Sequence, residues 1–175
     1  MVMPAVRDGA RRTARPIDPR AVMAALDEVA DPEIPAVSIV EMGMVHRIDV
    51  ATDRLRVELL PTFVGCPALE VIREAVADRL GTFGRAVDVE ISFATPWTSD
   101  RISPAGREKL RRSGFAPPPH LGTGRELPML GEAPVLCPYC GSAQTTLENV
   151  FGPTQCRSIR HCAACRQPFE AFKPI

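Results

Sequence analysis

Two Cys-x-x-Cys pairs, Cys137-Pro-Tyr-Cys140 and Cys162-Ala-Ala-Cys165, stand 21 residues apart near the end of a 175-residue chain. Paired cysteines at this separation match the spacing of a four-thiolate metal site. A knuckle of this kind turns sharply so that backbone N–H groups point at the sulfurs. Gly141, directly after the first pair, supplies the positive φ that such a turn needs. Arg166 takes that place after the second pair and suits it less well. Four thiolates around a divalent cation leave a net charge of about −2, and Arg157, Arg160 and Arg166 are near in sequence to offset it. Zinc, redox-inert and structural when closed off by four ligands, is the default occupant; iron fits the same donor set. A module this short depends on its metal to fold. Two disulfides are the competing reading, and a cytoplasmic chain should not form them.

Cys156, in Phe151-Gly-Pro-Thr-Gln-Cys156, is a fifth thiol that could replace Cys162 as a ligand, stay free, or serve as a small buried residue. Cys66 has a different setting, Pro61-Thr-Phe-Val-Gly-Cys66-Pro67, just before a helix that Pro67 is expected to begin. A thiol at a helix N-terminus faces unpaired N–H groups and the positive end of the helix dipole, which favours its thiolate. That setting suits a nucleophile or a transient metal ligand, although a buried, apolar Cys66 would fit the spacing equally well. No base is evident for a Cys-His enzyme. His46 has no orienting neighbour in sequence, His120 lies in a Pro-rich stretch, and His161 adjoins the cysteine pair. A Gly-rich phosphate loop and Glu-x-x-His pairs are also missing.

Lys plus Arg equals Asp plus Glu at 21 each, which argues against a strongly basic nucleic-acid binder. Aromatic residues are too few for an extended base-stacking surface. No apolar run is long enough to span a membrane. Residues 1–16 are Arg-rich, interrupted by Pro and Gly, and without an apolar run, so a disordered tail and a cytoplasmic location are expected.

The elements that must carry the cysteines follow from periodicity. Asp18-Pro19 reads as an N-cap with Pro in the first turn, and Val22, Leu26 and Val29 recur at helical spacing. Asp31-Pro-Glu-Ile-Pro35 is expected to end this helix. Residues 45–50 and 55–60 are β-prone runs joined by a hairpin at 51–54. A second helix over 67–80 places Leu69, Ile72, Val76 and Leu80 on one face, and Val87, Val89, Ile91 and Phe93 alternate as a half-buried strand. The fold class is α+β: a small α-β-β-α-β domain with both helices on one face of a sheet, plus a C-terminal zinc-ribbon-like module. The divisions are a domain over 17–95, a Pro/Gly-rich linker with a short helix over 96–134, and the four-cysteine module over 135–175. Ala116-Pro-Pro-Pro-His120 should be extended.

Asp31-Pro-Glu-Ile-Pro35, Ser38-Ile-Val-Glu-Met-Gly-Met-Val45, Pro61-Thr-x-x-Gly-Cys-Pro67 and Pro96-Trp97-Thr98 resemble the motifs of the small domain of SufT-type iron–sulfur assembly factors. With the C-terminal half added, including Cys-Pro-x-Cys-Gly-Ser, Phe-Gly-x-Thr-x-Cys and Pro168-Phe169-Glu-Ala-Phe172-Lys173, residues 18–175 resemble the PaaD (PaaJ) family. Departures are mild: Val64 where a small polar residue is expected, and Met42 and Met44 where Leu is commoner. The resemblance implies a compact α/β body and a role for Cys66 in metal or cluster delivery. It also implies an accessory place in the phenylacetyl-CoA 1,2-epoxidase system of phenylacetate degradation, with no stand-alone activity. The partners implied are the di-iron oxygenase component or the [2Fe–2S] reductase. Zinc would be structural at Cys137, Cys140, Cys162 and Cys165, and iron or an iron–sulfur cluster would be transient at Cys66. A homodimer sharing a cluster across two copies of Cys66 is left open. The chain lacks the helical Glu/His set that a di-iron site of its own would need.

Two other function classes remain. The ribbon is locally basic at Arg157, Arg160, Arg166 and Lys173, as is the preceding helix candidate at Arg107, Lys109, Arg111 and Arg112. That pattern admits nucleic-acid or protein docking without metal transfer, though a solvated face balancing the thiolates explains it better. A thiol enzyme using Cys66 lacks both a second Cys at two-residue spacing and a base.

Overall fold

A computed structural model describes residues 16–120 and 135–174. The expected tail falls, apart from Pro16, outside the described residues, as do residues 121–134 of the expected linker. Helix α1 (Pro19–Asp27) starts where Asp18 caps it, its carboxylate accepting from the Arg20 N–H at 2.9 Å, with Pro19 in the first turn. It buries Val22, Ala25 and Leu26.

Asp31-Pro-Glu-Ile-Pro35 does more than stop this helix. Strands β1 (Ala30–Asp31) and β2 (Ile34–Ser38) form a small antiparallel hairpin around it. The Asp31 carboxylate accepts from the Glu33 N–H at 2.8 Å and the Ile34 N–H at 3.2 Å, so the side chain builds the turn itself. Local periodicity is silent about such a short pairing.

The central sheet has the order β3 (Val45–Val50), β4 (Arg54–Leu59), β5 (Ala86–Ile91). The β3–β4 pair is an antiparallel hairpin, and β4–β5 is parallel, joined through α2 (Leu69–Gly81). Buried Ile72, Val76 and Leu80 of α2 share one core with Val22 and Leu26 of α1 and Leu55, Val57 and Leu59 of β4. Phe93 departs from the expected alternation. The strand ends at Ile91, the Ser92 N–H donates to the Leu59 carbonyl at 2.8 Å, and Phe93 turns out to solvent.

Residues 97–116 are built into the molecule. A 3₁₀ turn (Ser99–Arg101) leads to α3 (Pro104–Arg112), capped by Ser103 through the Gly106 N–H at 3.0 Å. Trp97 is buried and donates from Nε1 to the Met42 carbonyl at 2.9 Å. Strand β6 (Phe115–Ala116) then joins the ribbon in parallel with β9 (Pro168–Phe172). The ribbon sheet runs β6-β9-β8-β7, with β7 at Thr145–Asn149 and β8 at Arg157–Cys162. Its own core is only Ala116, Cys137, Cys162, Phe169 and Ala171, while Cys156 and Phe172 pack into the core of the body. So small a core cannot stabilise a ribbon alone.

Gly43 marks where the post-hairpin turn meets this packing. Its φ is +66°, and a Cβ there would lie 2.3 Å from the Arg101 carbonyl oxygen. Gly43→Ala should lower stability by about 3 kcal/mol, from left-handed backbone cost plus overlap with a neighbour that cannot yield. Gly81→Ala, at the end of α2 with nothing within 4 Å of a Cβ, should instead raise it by up to about 1 kcal/mol. Urea unfolding followed by fluorescence of Trp97, the one Trp in the chain, checks both.

Candidate metal centre and the cavity beside it

The four cysteines expected to act together do converge. Cys137, Cys140, Cys162 and Cys165 place their sulfurs within 4.8 Å of one another. Cys137 Sγ lies 3.6 Å from Cys165 Sγ, and Cys140 Sγ lies 3.6 Å from Cys162 Sγ. A tetrahedral ion with bonds of about 2.3 Å requires sulfurs about 3.8 Å apart, so the donor set fits a zinc or iron ion with little adjustment. Cys156 is not in this group and does not replace Cys162.

Two knuckles of matching backbone bring the sulfurs together. In the first, the Gly141 N–H donates to the Cys137 carbonyl at 2.9 Å and the Cys137 N–H to the Ser142 carbonyl at 3.0 Å. In the second, the Arg166 N–H donates to the Cys162 carbonyl at 2.8 Å and the Cys162 N–H to the Gln167 carbonyl at 3.0 Å. Gly141 has φ +73° and Arg166 φ +59°. The second knuckle thus forces a non-glycine residue left-handed, which the metal-binding turn requires at this place whatever the side chain.

The thiols of this group titrate apart. The Cys165 backbone N–H and neighbouring donors hold Cys162 down to about 6, against the opposing effect of burial. Burial and the crowding of the other thiols push Cys165 up to about 12. A bound divalent cation would favour the thiolate form of all four.

Cys66 departs from one of its two sequence-based readings, the thiol at a helix N-terminus. Helix α2 begins at Leu69, with Ala68 as its cap, so Cys66 lies short of the helix N-terminus. Half-buried, its thiol is pushed above its ordinary value of 9.0, mainly by burial; the Ala68 N–H lowers it, while Glu33, Asp31 and Cys156 raise it further. The dipole argument fails because the chain turns through Gly65-Cys66-Pro67 before the helix starts.

The presence of Cys156 among those neighbours is informative. Cys66 and Cys156, 90 positions apart in the chain, line one cavity of about 290 Å³ between body and ribbon, together with Glu33 and Thr154. Neither is in a disulfide. Thr154 Oγ1 lies 3.2 Å from Cys156 Sγ.

Beside the cavity, Arg157 has a role that its charge alone does not reveal. It is 6 % exposed and does not balance the thiolates. Its guanidinium meets Glu33 of the body at 3.3 Å and Glu170 of the ribbon at 2.9 Å, donates from Nε to Thr154 Oγ1 at 2.7 Å, and lies over the Phe115 ring at 5.3 Å. Arg160 is likewise buried, so neither belongs to a solvated basic face. Lys109 pairs with Glu41, and Arg111 and Arg112 pair with Glu108. His161, beside Cys162 in sequence, is not part of the metal group, and His120 faces Asp100 at 3.2 Å. Among the described residues no helix is long and apolar enough to cross a membrane.

A small α/β body bearing a four-cysteine, zinc-ribbon-like module defines the class. Residues 19–93 match the family described as iron–sulfur cluster assembly protein, and residues 125–173 match the PaaD zinc beta ribbon domain. A protein of Escherichia coli (strain K12), provisionally named as a subunit of 1,2-phenylacetyl-CoA epoxidase, is 35% identical over 164 residues, covering 93% of this chain and 97% of that one. The chain belongs to this PaaD family, as its motifs indicate. Among solved structures, a DUF59 domain of unknown function from Bacillus anthracis is 26% identical with a TM-score of 0.49, covering 52% of this chain and 89% of its own. A conserved hypothetical protein from Thermotoga maritima is 28% identical with a TM-score of 0.48, covering 54% and 95%.

Two outcomes check this geometry. Arg157→Ala leaves the Glu33 and Glu170 carboxylates facing each other without their cation and should cost about 3 kcal/mol in urea unfolding of the zinc-loaded chain; an unchanged midpoint would remove Arg157 from the junction. Because the reactive form is the thiolate and the Cys66 pKa is raised, iodoacetamide should modify Cys66 more slowly than free cysteine at pH 7. Its rate should rise steadily with pH and still be climbing at pH 9.0, levelling off only above it. Peptide mass spectrometry reads this, and an inflection below pH 8 would contradict it.

Proposed function

We propose that this protein is an accessory component of a phenylacetyl-CoA epoxidase system that supplies iron or an iron–sulfur centre to a partner subunit, with Cys66 as the transient ligand. The observation that carries this reading is the position of Cys66: a free, half-buried thiol on the wall of an open cavity, beside carboxylates and away from the closed four-cysteine group. A cargo ligand has to bind and let go. A half-exposed single thiol can exchange partners, whereas four thiolates around one ion hold it permanently. The raised pKa of Cys66 agrees with this role, since the thiol stays protonated and unreactive until a cation displaces the proton.

In this reading Cys137, Cys140, Cys162 and Cys165 hold a structural metal, zinc by default, and the ribbon docks on the client. The client is the di-iron oxygenase component or the [2Fe–2S] reductase. Exposed Leu136 and Tyr139, flanking the first knuckle beside Cys140, favour protein docking by the ribbon over nucleic-acid binding.

Cells whose only copy carries Cys66→Ser should yield an oxygenase component or reductase short of iron, while the variant itself retains its ribbon metal. Metal and acid-labile sulfide analysis of the purified subunits makes the measurement. Clients with full iron and full turnover from those cells would overturn the proposal.

A further inference from the structure

The cavity beside Cys66 is closed on its far side by the ribbon, and the most buried of the ribbon residues lining it is another cysteine. We propose that Cys66 and Cys156 together form a second metal site, separate from the four-cysteine group, which takes a thiophilic iron ion or iron–sulfur cluster as cargo. This rests on the transfer role given to Cys66 above and assigns its missing partner.

Three observations carry it. Both thiols are free and line the same cavity, whose 290 Å³ has room for a solvated ion or a small cluster. Cys156 is also held in place from both sides. The Gly152 N–H donates to the Arg157 carbonyl at 2.9 Å and the Arg157 N–H to the Thr154 carbonyl at 3.1 Å, closing the loop, and the Lys173 N–H donates to the Cys156 carbonyl at 2.9 Å. The next residue, Arg157, ties the loop to Glu33 on the opposite wall at 3.3 Å. The ribbon is therefore docked so as to present this thiol to Cys66. Third, the two thiols are near enough across this cavity for Cys156 to raise the pKa of Cys66, and neither belongs to the four-cysteine group. Cys66 and Cys156 offer two thiol ligands, which leaves the remaining coordination positions open.

Open positions are what cargo exchange needs. Two thiolates fill half of the four-coordinate set that iron takes in thiolate sites, and a donor or client can fill the other half in turn. On binding a divalent ion each thiol gives its proton to solvent. Two metal–sulfur bonds replace two metal–water bonds, and no oxidation state changes. The alternative is that Cys156 is a small apolar residue packed near Phe172.

The test uses the full-length, zinc-loaded protein under anaerobic conditions, with Co(II) as probe. Sulfur-to-cobalt absorption and proton release are followed while bound zinc is counted by native mass spectrometry. Wild type is expected to take about one cobalt per chain beyond its zinc, with two protons released. Cys66→Ser and Cys156→Ser should each weaken this binding at least tenfold and lose part of the absorption, with zinc retained. Cys156→Val, which keeps the apolar packing, is expected to behave like Cys156→Ser and to unfold at the wild-type temperature. If both Cys156 variants bind cobalt as wild type does while Cys66→Ser does not, the inference is overturned and the transfer role of Cys66 stands. If Cys66→Ser binds as wild type does, both fall. Zinc lost from either Cys156 variant would assign that thiol to the ribbon and also overturn the inference.

Discussion

A buried guanidinium decides how the two halves of this protein meet. Arg157 begins the central stretch of the ribbon, reaches a carboxylate on each module, and rests against Phe115 from the segment between them. Desolvating an arginine costs several kcal/mol unless its fork is filled, and here Glu33, Glu170 and Thr154 fill it in one arrangement only. Apolar contact of Phe172 with the body core would tolerate sliding; the guanidinium does not. Orientation of the ribbon, closure of the cavity and the placing of Cys156 all depend on that one side chain.

The protein holds thiols in two contrasting regimes. Around the four-cysteine group, backbone N–H donors hold Cys162 low while burial and neighbouring thiols raise Cys165, and the ligand set is complete. At the junction the environment opposes ionisation, through burial and through Asp31 and Glu33 nearby. Burial likewise raises Asp31 despite its turn hydrogen bonds. The first environment retains a cation. The second suits the proposed transfer role, in which a site is filled and emptied repeatedly.

How much of the fold and the site is legible in the sequence depends on the range of the forces involved. Helices α1 and α2 and the three central strands are legible because burying one face imposes a period, and the period is written every two to four residues. The four-cysteine group is legible because a tetrahedral ion imposes spacing within each pair. The β1–β2 hairpin escapes because an Asp-Pro sequence signals a helix stop just as it signals a side-chain-built turn. The dipole reading of Cys66 fails over two residues of helix start, a margin within which proline is a poor guide. Nearness in sequence assigns Arg157 to the thiolates, whereas one of its partners, Glu33, lies 124 positions away. Val64 and Phe93, both exposed, show the same limit: apolar type does not determine which way they face.

Strand β6 is short, yet it comes from the segment after the body and forms the edge of the ribbon sheet beside β9, the last strand. The ribbon is thus no detachable cassette. During synthesis β6 emerges before β7, β8 and β9 and stays unpaired until β9 is made, so the ribbon sheet closes only then. A chain interrupted before Phe172 would leave an unpaired strand on a finished body, and such an edge invites pairing with other chains.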